Sequence, residues 1–365
     1  MIDLIKNLYS KIGHPINLME VCGTHTVAIF KHGIRSLLPE DLKLLSGPGC
    51  PVCVTSIKDI DKAIAFSMLD NVTLCTFGDM MRVSGGKKSL SEAKAEGGDI
   101  RIVYSPLDCL KIAQENKNKK IVFFSAGFET TAPSAAGTIF EAERLGIDNF
   151  YVYSVNKLVP PALEVLLQSD DVRIDGFILP GHVSTIIGSR AYEFIAEKYK
   201  KPCVITGFGA EDILAGIAML LKQIAEGEAA VEIQYKSVVT ESGNQRAVDF
   251  INEYFEPCDS YWRGIGLLEK SGLRLREEYK NRDAEIVFNI GVTDVPDDYY
   301  NLGGCQCGLV LRGIKIPSEC PLFGKACTPE KPVGACMVST EGSCAAYYKY
   351  NILKITNPVD SDRKL

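Results

Sequence analysis

Two cysteines three positions apart, Cys50 and Cys53 in SGPGCPVCVTSIKDI, carry the clearest chemical signal in this chain. A CxxC pair serves thiol–disulfide exchange or metal binding, and its setting separates the two. The apolar residues 42–45 before it read as a buried strand, while Ile57, Ile60, Ala63, Ile64 and Met68 follow at helical spacing. The pair therefore sits where a strand turns into a helix, and the partial positive charge of a helix start favours a thiolate there. Gly47, Pro48, Gly49 and Pro51 fix the turn and keep bulk away from both sulfurs. This setting favours a redox pair over its competitor, one half of a structural zinc site.

A third reactive thiol is Cys22, at the end of the strand-like INLMEVC, with His25 close enough in sequence to orient or deprotonate it. Other polar residues also fall just after strand-like runs: Asp79 in TFGDMMRV, Glu129 in GFETT and His182 in LPGHVS. For Glu129 and its threonines the plain reading is capping of the helix that continues as PSAAGTIFEAERLG. A second group of cysteines, Cys305, Cys307, Cys320, Cys327, Cys336 and Cys344, lies among prolines and glycines in a stretch with few large aliphatic residues. Such a stretch cannot build an apolar core, and a metal centre would hold it. Its long, uneven gaps suit a [4Fe–4S] cluster better than the tight knuckles of tetrahedral zinc, and Cys320 precedes a proline as some ferredoxin ligands do. Four of the six can be cluster ligands. Cys75, Cys109, Cys203 and Cys258 read as small buried hydrophobes.

Positioning these residues requires a scaffold, and the chain has material for two or three domains, with 365 residues, 46% hydrophobic and 24% charged. The net charge of -6, with both signs interspersed, gives no basic stripe, so nucleic acid is not an expected partner. Neither a signal-peptide core nor a membrane-length apolar run is present, so no membrane association and a cytoplasmic location are expected. In that reducing setting thirteen cysteines indicate metal or thiol chemistry rather than a disulfide framework. Short Val/Ile-rich runs alternate with helical patterns to about residue 230, which indicates an α/β fold with parallel sheets. Ligand crevices in such sheets lie beyond the carboxyl ends of the strands, so Cys22, Cys50, Cys53, Asp79, Glu129 and His182 are placed to share one.

The stretches MEVCGTHT, GPGCPVCVT, TFGDMMRV, VYSPLD, GFETT, PGHVS and ECPLFGKACTPEKPVGACMVSTEGSCAAYY, in this order over nearly the whole chain, resemble the HypD family of [NiFe]-hydrogenase maturation factors. The resemblance implies two parallel-sheet α/β domains facing a central cleft, here residues 1–120 and 121–240, and a small iron–sulfur domain in 241–365. It implies a scaffold that works with the small partner HypC, holding iron while cyanide and carbon monoxide are installed. HypE delivers the cyanide, and the Fe(CN)2CO unit passes to the hydrogenase large subunit. Carried onto this sequence, the iron-binding thiol is Cys22, the redox pair Cys50 and Cys53, and the cluster ligands Cys307, Cys320, Cys327 and Cys344, with Cys336 in reserve. Many members have a second histidine where this chain has Val27, so a role for that histidine does not transfer.

The chemistry is coherent on its own terms. Low-spin iron carrying cyanide and CO takes soft thiolate ligands, one from Cys22 and another from a partner. A [4Fe–4S] cluster passes single electrons and a dithiol stores two. A free-standing iron–sulfur thiol–disulfide oxidoreductase is the alternative, but it has no need of Cys22. A zinc-stabilised binding module is the third reading.

Overall fold

The computed structural model describes residues 1–291 and 304–356, with side chains through residue 350. Eleven strands are found among these residues: β1 Ile16–Glu20, β2 Leu42–Ser46, β3 Val72–Thr76, β4 Ile100–Ile102, β5 Lys120–Ser125, β6 Phe150–Ser154, β7 Gly176–Pro180, β8 Cys203–Thr206, β9 Val231–Ile233, β10 Phe255–Trp262 and β11 Gly266–Leu275. A five-stranded sheet has the order β2-β1-β7-β8-β9 and a four-stranded sheet the order β4-β3-β5-β6. Both are parallel throughout. The α/β expectation is met, and its physical basis is visible in β3, β5, β7 and β8, whose residues are buried on both faces apart from Lys120.

The sheets do not follow the division at residue 120. The five-stranded sheet joins β1 and β2 to β7, β8 and β9, and the four-stranded sheet takes β3 and β4 from one side of that position and β5 and β6 from the other. Periodicity marks strands without saying which of them pair, so a boundary drawn along the sequence misses this exchange. Beyond residue 240, the helix Gln245–Tyr254 forms as its amphipathic pattern requires. It leads into an antiparallel hairpin, β10 with β11.

The cysteine-rich region is packed against the first sheet. Cys305, Cys307, Cys327, Cys336 and Cys344 belong to the same buried cluster as Met19, Cys50, Cys53 and Trp262. A Cβ on Gly313 would lie 2.6 Å from the Met19 methyl, which shows how closely the chain crosses that sheet. Ion pairing of Arg312 with Asp171, at 2.6 Å, and edge contact of Tyr347 with Phe30, at 4.4 Å between ring centres, complete the docking. No helix among the described residues is long and apolar enough to cross a membrane.

Candidate functional site

β1 lies between β2 and β7, so the loops after these strands emerge side by side. Cys22 follows β1 in extended conformation, φ -153° and ψ 123°, and opens the helix Gly23–Lys31. Its turn is locked to the CxxC turn through backbone: Gly23 N–H donates to the Gly49 carbonyl at 3.0 Å. A Cβ on Gly49 would stand 2.2 Å from the Cys22 nitrogen. The third wall comes from the C-terminal region, where Thr24 Oγ1 donates to Glu341 Oε1 at 2.9 Å and a Cβ on Gly23 would meet Glu341 Cβ at 2.6 Å. Segments some 300 residues apart thus close around one thiol. Burial pushes the Cys22 thiol up to about 12, against the helix-start N–H groups of His25 and Thr24. At that value it is a protonated thiol at neutral pH.

Glu20 escaped the sequence reading. It ends β1 fully buried, accepts the Cys22 N–H at 3.1 Å and the Thr26 hydroxyl at 2.5 Å, and is raised to about 7 by burial. The signal was a carboxylate inside an otherwise apolar strand. Glu341, in the STEGSC stretch, was passed over because nothing in sequence says that it reaches Cys22.

His25 is placed beside Cys22 in the chain, but its ring turns to the loop after β8. Nε2 lies 3.0 Å from the Gly207 carbonyl and 2.9 Å from Thr206 Oγ1. Since a carbonyl only accepts, Nε2 carries the proton and Nδ1 holds the lone pair, buried with no hydrogen-bond partner among the described residues. Burial lowers the ring to about 4, so it is neutral. Phe208 lies between the two site histidines, its ring centre 4.7 Å from His25 and 4.1 Å from His182. His182, after β7, is solvent-exposed, and the Glu341 charge reaches it. Phe208 is a further site residue with no polar signal in sequence.

Cys50 opens a one-turn helix, Pro51–Val54, and its Sγ accepts the Cys53 N–H at 3.3 Å. The expected lowering of a thiol at this turn is not found for Cys53. Burial pushes it well above its ordinary value, as it does Cys22, because desolvation outweighs the dipole of a four-residue helix. Cys53 is flanked by the thiols of Cys50 and Cys336. Cys336 in turn meets Cys307, and Cys307 meets Cys305. The CxxC pair is thereby continuous with the tail thiols.

All six tail cysteines are buried. The Cys344 thiol, raised by burial, lies within electrostatic reach of Cys307, Cys305, Cys327 and Cys320. Among the described residues no three His, Cys, Asp or Glu side chains converge as ligands of one ion. Val333 N–H donates to Cys327 Sγ at 3.3 Å, and a Cβ on Gly334 would lie 2.6 Å from Cys305 Sγ, so the backbone is shaped to these sulfurs. An all-thiol donor set with an N–H···S bond fits such a cluster. The arrangement brings Cys305, omitted from the expected ligands, into the group, and it couples Cys336 to Cys53.

Glu129 and Asp79 follow strands of the other sheet. Glu129 Oε1 accepts the Val159 N–H at 2.8 Å, and Oε2 is buried without a partner among the described residues. The capping expected of it is real, but the capped helix is Val159–Gln168 rather than the one that follows directly. That helix begins after Leu158, which has no acceptor, and prolines fill its next two positions, so one N–H is satisfied from outside. Asp79 is exposed on the short helix Gly78–Arg82. Val27 lines an apolar cavity of about 660 Å³ with Thr24, Met337, Val338 and Tyr348.

Residues 1–351 match the family model described as the Hydrogenase formation hypA family, HypD. The chain belongs to the HypD family of hydrogenase maturation factors. It is 47% identical over 337 residues to hydrogenase maturation factor HypD of Rhodobacter capsulatus, covering 92% of this chain and 89% of that protein. Against HypD of Escherichia coli it is 45% identical over 360 residues, 96% and 95% of the two chains. A putative hydrogenase expression/formation protein of Methanocaldococcus jannaschii is 45% identical over 351 residues, 96% of each.

Proposed function

We propose that this chain is a cytoplasmic scaffold on which a HypC-like partner and Cys22 together hold an iron atom as cargo while cyanide and carbon monoxide are attached. In this reading a HypE-like protein donates cyanide, and the finished Fe(CN)2CO unit goes to the hydrogenase large subunit. The carrying observation is Cys22 itself, a lone buried thiol enclosed by three segments and bonded through backbone to the CxxC turn. Iron takes the place of the thiol proton, and the first N–H groups of the helix Gly23–Lys31 hold the charge left on sulfur. Glu20 fixes the turn through the Cys22 N–H.

Cys307, Cys320, Cys327 and Cys344 would hold a [4Fe–4S] cluster, with Cys336 and Cys305, both in contact with Cys307, as the alternative ligands. When bound, such a cluster supplies single electrons. Cys50 and Cys53 form or open a disulfide, with two electrons and two protons exchanged. The stand-alone oxidoreductase reading draws on the run of thiols from Cys50 to Cys307 but leaves Cys22 without a task.

The decisive test is Cys22→Ser in the complex with the small partner. The infrared bands of bound cyanide and CO should vanish while broad visible absorption and about four irons per chain remain. Bands at wild-type intensity would move the oxidoreductase reading ahead. Stoichiometric zinc in a colourless protein would favour the binding module.

A further inference from the structure

One buried charge has no place in this reading. Arg263 is 4% exposed and sits at the tip of the β10–β11 hairpin. Its backbone N–H donates to the Val54 carbonyl and its Nε to the Thr55 carbonyl, both at 2.8 Å, and Nη2 donates to the Ser84 carbonyl at 2.9 Å. Val54 directly follows Cys53. On the far side of the tip, Gly264, at φ 77°, is pressed onto Gly308, where a Cβ would lie 2.4 Å from the Gly308 Cα. Gly308 directly follows Cys307. Arg263 is therefore wedged between the backbone that carries the CxxC turn and the backbone that carries the tail thiols.

The partners of the guanidinium are carbonyl oxygens, and among the described residues no carboxylate pairs with it. Half-buried Asp61 feels its field, but its Oδ1 accepts the Gly86 N–H at 2.8 Å. Removing a cation from water without a counter-anion is strongly unfavourable, and arginine cannot escape by losing its proton. Burial works against the charge of Arg263, and the anionic forms of Cys307, Cys336, Cys305 and Cys53 favour it. Cys53 adjoins Val54, and Cys307, which adjoins Gly308, is in contact with Cys305 and Cys336.

We infer that Arg263 is the fixed countercharge to anionic sulfur at the junction of the CxxC turn and the tail thiols, a positioning residue for the cluster they would hold. The inference rests on the four-iron reading above. An electron added to a thiolate-bound cluster adds negative charge, which a fixed neighbouring cation stabilises. Arg263 thus sets how readily the site accepts electrons.

The test is an anaerobic redox titration of the reconstituted full chain with dithionite as donor, followed by electron paramagnetic resonance. One electron enters the cluster, and no bond forms or breaks. Arg263→Gln keeps a donor for the Thr55 carbonyl but removes the charge. At a fixed potential its ratio of reduced to oxidised cluster should fall about tenfold, a midpoint roughly 59 mV more negative. Arg263→Lys should recover most of that loss. Asp61→Asn, a mild change that leaves the guanidinium field unopposed, should raise the ratio about threefold and serves even where the glutamine variant does not fold. Wild-type potentials in Arg263→Gln, equal shifts in Gln and Lys, or no shift in Asp61→Asn would overturn the inference. A colourless wild-type protein would instead sink the four-iron reading before any variant is compared.

Discussion

At the carboxyl ends of the five-stranded sheet, the loops after β2, β1, β7 and β8 present Cys50 and Cys53, Cys22, His182 and Phe208 in adjacent order. The same ends of the four-stranded sheet present Asp79 after β3 and Glu129 after β5, one in solvent and the other capping a helix. Both sheets obey the rule that special residues follow strands. The difference lies in what is laid over them. Gly23 and Gly49 let Glu341 and the CxxC turn approach the Cys22 loop to van der Waals limits. Closure by other segments is needed for a polar residue after a strand to join a site, and buried Glu129 shows that it is not sufficient.

If that contrast is right, the largest effect belongs to the closed side. Gly49→Ala would place a methyl group 2.2 Å from the Cys22 nitrogen, with backbone on the opposing side and no flexible side chain to yield. The two turns must separate, at about 3 kcal/mol. Chemical denaturation should show that loss, and purified Gly49→Ala should bind less cargo iron with its partner. An unchanged midpoint would mean that the two turns are not tightly apposed.

Much of this was legible in the sequence, and the omissions share a cause. The strands β1 to β8, the helix after Cys53 and the clustering of tail thiols follow from local pattern, which is fixed by neighbours along the chain. Strand pairing across residue 120, the approach of Glu341 to Cys22 and the contact of Cys336 with Cys53 depend on residues far apart, and no local pattern encodes them. The raised Cys22 and Cys53 thiols were missed for a related reason. Helix position is visible in sequence, whereas burial, the larger influence, is a property of the whole fold.

Glu129 offers a test of the four-stranded side. Burial raises its carboxyl from the ordinary 4.5 to about 7, so between those values the folded chain keeps a proton that the unfolded chain has released. Stability from this group is complete below 4.5 and is lost as pH rises toward and through 7. Glu129→Gln should keep the bond from Val159 and remove this decline. The variant should gain on wild type across that window by about 3 kcal/mol, measured by thermal unfolding from pH 4 to 8. Its cyanide and CO bands should match wild type. A parallel pH profile would show that the carboxyl ionises freely, and altered bands would place Glu129 in the site after all.

The smallest effect expected is at Gly137, and it has the opposite sign. Gly137 lies within the helix Ala132–Arg144, beside the four-stranded sheet, and a Cβ built on it meets nothing within 4 Å. Glycine in a helix interior loses more backbone freedom on folding than alanine, so Gly137→Ala should stabilise the protein by about 0.5–1 kcal/mol. The same substitution that separates two turns at Gly49 should raise the unfolding midpoint here, with cargo binding unchanged. Both glycines belong to the same chain and differ in whether another segment approaches the missing methyl group. Destabilisation at Gly137 would mean that a partner or a further part of the chain covers that helix face.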